Sequence, residues 1–248
     1  MKKVWLAGAA FALATLAPNA RADESDFPRA AKASPQWFAI EFRFAPYWPA
    51  IDTQPSLGGA TPYHDIFGSM PRLLASFEID AQLLKIPHFG SLGPAFSFGY
   101  TEMSAPAPIT GGNGQVSAEN TNIEVFPMYL AAVLRVDVLL RDFKIPIVPY
   151  AKIGIASTIW RTFTDSGTSN FDGKNGFGAT WGEQFALGGM LNLDWIDPRG
   201  AAELDNATGI NHTYLFAEWM FANLDNFGSA NGLRVGTNTV AAGLAFEF

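Results

Sequence analysis

Few residues in this chain could do chemistry on a substrate. Among 248 residues there are 3 histidines and no cysteine, so disulfides, thiolate zinc sites and cysteine nucleophiles are excluded. A metal needs ligands converging within about 2 Å of one point. His64 is predicted in a long loop, His88 in a short turn at the other end and His212 at a strand start, so neither metal nor cofactor is expected. Tyr63-His64-Asp65 with Ser69 supplies the base, carboxylate and hydroxyl that a lipid-acting enzyme would use. An ordinary polar loop has the same composition, and no enzymatic activity is expected. The segment DSGTSNFDGKNGFG, residues 165–178, suggests calcium, but counting from Asn170 puts Lys174 at the fifth position and Asn175 at the sixth. An EF-hand loop requires an oxygen ligand and a glycine there. Gly173-Lys174-Asn175 likewise fails the phosphate-loop pattern, which continues with Ser or Thr.

One constellation remains: Glu41, Arg43, Glu78, Asp80, Arg135, Asp137, Lys152 and Glu218, all assigned to one face of predicted strands. Charges in a narrow interior are costly unless paired or hydrated. Two roles stay open, a salt-bridge network that fills the interior and a selectivity lining for solutes. Arg43 is expected to be the hub, since its planar fork can hold two carboxylates. Counting back from a turn at residues 141–146 makes Asp137 the expected partner of Lys152.

The elements that must position these charges follow a period of two, which sends alternate side chains to opposite faces of a strand. Phe38, Ile40, Phe42 and Phe44 alternate with Ala39, Glu41 and Arg43. Leu73, Ala75, Phe77, Ile79 and Ala81 alternate with Leu74, Ser76, Glu78, Asp80 and Gln82, and Phe96, Phe98 and Tyr100 with Ala95, Ser97 and Gly99. The pattern returns in residues 121–140, 147–163, 181–193, 213–224 and 241–248, giving about eight strands. Within 121–140 the apolar parity changes near Pro127, where a β-bulge is expected. One face is too rich in Phe and Leu for water, and the other too charged for the shared interior of a sandwich. Strands of about ten residues with this asymmetry predict an all-β, antiparallel, up-and-down transmembrane β-barrel, in which closure satisfies every backbone polar group. Residues 85–89 and 141–146 read as short turns. Residues 48–71, 104–120, 164–179 and 226–237 read as long loops at the opposite end. The connection 195–212 is long yet falls on the short-turn side; Asp197-Pro198 with residues 199–205 predicts one short periplasmic helix there.

Composition agrees. Hydrophobic residues make up 48% and charged residues only 16%, with 24 glycines and 21 phenylalanines, which argues against disorder. The formal charge of −7 leaves no basic stripe for nucleic acid. Lys2 and Lys3, the apolar run from Val4 to Leu16, Pro18 and Ala20-Arg21-Ala22 predict a cleaved signal peptide over residues 1–22. Its removal would leave 13 basic and 23 acidic residues. Residues 23–35 then read as a flexible periplasmic leader and 36–248 as the barrel.

The final segment, Gly243-Leu244-Ala245-Phe246-Glu247-Phe248, resembles the assembly signal of bacterial outer-membrane barrels, with Gly243, Phe246 and Phe248 carrying the match and Ala241 departing from it. Residues 148–154 (VPYAKIG), 209–216 (GINHTYLF) and Trp181-Gly182 resemble an uncharacterised outer-membrane β-barrel family of myxobacterial type, over roughly residues 36–248. The resemblance implies an outer-membrane location without an assigned reaction. Partners are then outer-membrane lipid and lipopolysaccharide, with the barrel-assembly machinery during biogenesis. A structural or surface-interaction role is expected, with a narrow solute channel as the alternative and a lipid-acting enzyme as a third reading.

Overall fold

The structure is a computed structural model that describes residues 36–109, 115–165, 167–171, 174–229 and 232–248. The predicted signal peptide (1–22) and leader (23–35) lie outside the described residues, as do Asp172 and Gly173 of the glycine-rich loop.

Alternation of small or charged with bulky apolar side chains produces eight long antiparallel strands: β1 (Phe38–Tyr47), β2 (Arg72–Ala81), β3 (Gly90–Pro108), β4 (Val116–Arg135), β5 (Ile147–Thr164), β6 (Phe177–Asn192), β7 (His212–Leu224) and β8 (Thr237–Glu247). Each pairs with its sequence neighbours, and β8 pairs with β1 to close the barrel. Backbone bonds between Trp37, Phe38 and Phe248 seal the lower end of that seam, and the Phe38 and Phe248 rings stack at 4.9 Å.

The closure is staggered. Stepping through paired residues from Gly182 on β6 to Ala156, Tyr129, Ser97, Glu78, Glu41, Ala245 and Tyr214 returns to β6 at Asn192. A stagger of this size tilts the strands by about 40°. It also places inward side chains of all eight strands in one row around the lumen.

The outer face is apolar. On β3 the successive outward positions are Leu92, Pro94, Phe96, Phe98 and Tyr100 before Glu102 ends the run. On β4 the band ends between Phe126 and Glu124, and on β5 between Ile159 and Arg161. At about 3.3 Å per residue and this tilt, the band is roughly 20–25 Å tall. Phe44, Leu73, Leu130, Ile153, Leu187 and Leu215 within it are all exposed. Beyond the band β3 to β6 continue as a paired extension, so much of what reads as loop in 104–120 and 164–179 is strand.

Two expectations are corrected. There is no bulge at Pro127, because one register runs from Ser91↔Arg135 to Pro106↔Asn120 and the shift lies at Pro106/Pro108. Ile123, Val125, Tyr129, Ala131 and Val133 all face inward. The apparent parity change arises because the interior turns apolar toward the loop end, while Pro127, lacking an N–H, leaves a gap in the ladder opposite Gly99. Residues 136–140 are not strand either, since β4 stops at Arg135 and α1 (Val138–Arg141) forms a helical turn.

At the long-loop end, residues 48–71 fold back over the mouth. The Asp52 carboxylate accepts the Tyr63 and His64 amides at 2.8 and 2.9 Å, capping α2 (Pro62–Phe67) in place of its own N-cap residue. Ile51, Tyr63 and Phe67 then pack with Tyr47, Met103 and Val125 in a buried apolar cluster. At the other end α3 (Pro198–Thr208) starts at Asp197, whose carboxylate accepts the Gly200 amide at 3.0 Å. No described helix is long and apolar enough to cross a membrane.

Candidate functional site

The row and the positions beside it gather the charges. Glu41 and Glu78 are paired neighbours on β1 and β2, with Arg43 and Asp80 two residues along the same faces. Arg135 and Lys152 enter from β4 and β5 and Glu218 from β7. All seven are buried, none more than 4% exposed. Their neighbours are small where space is needed. A Cβ on Gly188 would lie 2.6 Å from the Tyr150 hydroxyl and 2.7 Å from Glu218 Cβ, so only glycine admits both side chains.

The pairing is dense. Arg43 Nη2 contacts Glu41 at 2.7 Å and Glu78 at 2.8 Å, and Nε approaches Glu218 at 2.9 Å without hydrogen-bond alignment. Its other terminal nitrogen donates to the Tyr129 hydroxyl, which donates in turn to Glu78. Arg135 grips Asp80 with both terminal nitrogens at 2.6 Å and reaches Glu41 at 2.8 Å. Lys152 donates to Glu41 and Glu78, each at 2.7 Å, and lies 3.5 Å from Glu218. Tyr150 donates to Glu218 at 2.9 Å. Four carboxylates thus face three cations, leaving the cluster one negative charge in excess. Aromatic faces add to it, with Arg43 over Tyr129 and Phe216 and Lys152 over Tyr150.

Asp137 does not join this cluster. It stands two residues beyond the end of β4 as the N-cap position of α1, partly exposed, and pairs with Arg141 at 3.1 Å. Lys152 takes Glu41 and Glu78 instead of the expected Asp137. The turn-counting argument failed because it extended β4 to residue 140. Glu41, Glu78 and Asp80 bring carboxylate oxygens within 4.8 Å of one another, a spacing a cation could use. Lys152 and the two guanidinium groups already occupy that position. Gly243 and Phe246 lie on β8 and Phe248 directly after it, forming the seam with β1.

Network members missed by the reading of charges alone are Tyr129, Tyr150 and a satellite group, Glu247 with Gln82 and Tyr214. Their signal was available, since Tyr129, Tyr150, Tyr214 and Glu247 occupy inward positions of their strands and Gln82 continues the inward parity of β2 just past its end. Tyrosine among inward glycines and alanines marks a hydroxyl aimed at the lumen.

Above the charges toward the loops, the remaining gap is about 30 Å³ and the apolar cluster fills the mouth. Below them a cavity of about 490 Å³ opens at the end carrying residues 36 and 248. His64 lies in α2 at the opposite end, exposed and 3.7 Å from Asp65. His88 is exposed in the short turn, and His212 pairs with Asp194. The three histidines do not converge.

No protein-family model matches the chain, and no curated protein matches it. The solved structures it is similar to include three bacterial proteins. OprG, an outer-membrane protein of Pseudomonas aeruginosa, is 13% identical with a TM-score of 0.45 over 87% of this chain and 97% of OprG. Ail, the attachment invasion locus protein of Yersinia pestis, solved with the heparin analogue sucrose octasulfate, is 10% identical with a TM-score of 0.43 over 86% of this chain and 97% of Ail. The N-terminal β-barrel domain of Pseudomonas aeruginosa OprF is 12% identical with a TM-score of 0.37 over 86% of this chain and all of that domain.

Proposed function

We propose that the chain is an outer-membrane β-barrel with a closed lumen, serving a structural or surface-interaction role through its long-loop end. The observation that carries this reading is the interior: seven mutually paired charges span it, and an apolar cluster fills the space above them. Eight strands leave a lumen just wide enough for side chains, and here side chains occupy it. The apolar outer band of roughly 20–25 Å matches the lipid-facing height of such barrels. Outer-membrane lipid and lipopolysaccharide are the surroundings this band and the rim above it would meet. The rim carries Glu102, Glu124 and Arg161 beyond the last apolar positions. The myxobacterial-type barrel family remains the proposed affiliation, on the segments quoted above. The reading is non-enzymatic, because His64 faces solvent with one carboxylate beside it.

Location and orientation are testable because the chain has no cysteine. Single Thr168→Cys and Ala202→Cys variants place a thiol on an exposed position of the 165–176 loop and of α3 respectively. In intact cells a membrane-impermeant maleimide should label the first and spare the second. Labelling of both or neither, or of α3 alone, would contradict the proposed location or orientation.

A further inference from the structure

The cavity below the charge cluster is unexplained by a closed barrel with outward-facing loops. Its volume, about 490 Å³, falls within the range of small-molecule sites, about 300–1,000 Å³. Val148, Met190 and Ala245 are buried on its wall. Arg135 closes its floor, buried and held by Asp80 and Glu41. The rim carries Lys85 and Lys144, both exposed, and the two carboxylates of the lining have partners of their own: Asp137 pairs with Arg141 at 3.1 Å, and Glu247 accepts from Gln82 and Tyr214.

We propose that this cavity is a binding site for a small organic anion with an apolar body, such as an aromatic or short acyl carboxylate. The apolar body packs on Val148, Met190 and Ala245. The anionic head has Lys85 and Lys144 as counter-charges at the rim. The ligand enters from the end opposite the long loops and leaves by the same route, since the charge cluster closes the path above. The two exposed lysines select for negative charge, and the buried wall selects for shape. The site requires only a folded barrel and is independent of what the long loops contact.

The test uses the barrel refolded into nanodiscs and titrated calorimetrically with 2-naphthoate and with its neutral analogue 2-naphthylmethanol. Wild type should bind naphthoate saturably at one site per chain and the alcohol more weakly. The Lys85→Ala/Lys144→Ala double variant, altered only at exposed positions, should lose about tenfold in naphthoate affinity, two exposed ion pairs at about 0.7 kcal/mol each, with no change for the alcohol. Met190→Trp, which fills the wall, should abolish binding of both. An absence of saturable binding to wild type, or equal loss of both probes in the lysine variant, would overturn the proposal. So would undiminished binding by a Met190→Trp barrel that still migrates as folded, because the probe would then be held by the bilayer.

Discussion

Replacing Arg43 by alanine removes the side chain that ties three carboxylates to one point. Glu41, Glu78 and Glu218 lie 2.7, 2.8 and 2.9 Å from its guanidinium, and Tyr129 bridges the same group to Glu78. The cluster then holds four carboxylates against two cations, all within a few per cent of complete burial. Breaking a buried pair by removing one partner costs roughly 3–5 kcal/mol. Lys152 stays 2.7 Å from both Glu41 and Glu78, so the loss belongs at the lower end, about 3 kcal/mol. For a chain of this length that lowers the unfolding midpoint by roughly 6–12 °C. The assay is heat-modified migration on gels, in which folded and unfolded barrels separate. Arg43→Lys should fall between, keeping the charge but losing the fork. An unchanged midpoint for Arg43→Ala would refute the argument that these charges are desolvated and mutually dependent.

Other expectations follow from single contacts. Gly188→Ala forces a methyl group against Tyr150 and Glu218 and should cost about 1–3 kcal/mol in the same gel assay; a wild-type midpoint would show that the pair has room to move. Phe248→Asp removes the stacking on Phe38 at the closing seam and should lower the yield in the outer-membrane fraction while raising periplasmic aggregate, with equal yields counting against the seam. Burial opposes the charge on Asp194, but hydrogen bonds from His212, Asn192 and the Thr213 amide hold its carboxyl below the usual range. A depressed carboxylate stabilises the fold above its unfolded pKa of about 3.9 and loses that contribution as pH falls through the folded value. Amide protection of residues 193–211 should therefore drop below about pH 4, and Asp194→Asn should remove that dependence.

The barrel was legible because its period-two pattern is unbroken wherever the outer face meets an apolar medium. Phe42, Phe77 and Phe96 were assigned to the apolar face from alternation alone, and all are exposed. Seven of the eight charges assigned to the lumen converge, since inward parity on a closed, staggered sheet leaves them nowhere else to go. Alternation says nothing about what fills the interior along its axis. Ile123 and Val125 therefore read as outward residues ahead of a bulge at Pro127, when they belong to an apolar inner plug. The ends of strands were also obscure: Asp137 sits beyond the point where β4 gives way to a helical turn, and no local residue marks that point. The extensions of β3 to β6 are polar and rich in Ser, Asn and Thr, so composition alone makes them look like loop. The cavity below the charges depends on the distance between side chains of several strands and has no signature in the chain.

The closed lumen is tested most directly by the current through wild-type protein, refolded and inserted into planar lipid bilayers. The charge cluster and the apolar cluster above it predict a flat trace at the level of the bare bilayer, even where folded insertion is verified by gel mobility of the recovered protein. Reproducible, sustained conductance steps scaling with the amount of inserted barrel would show a continuous water path and contradict the account.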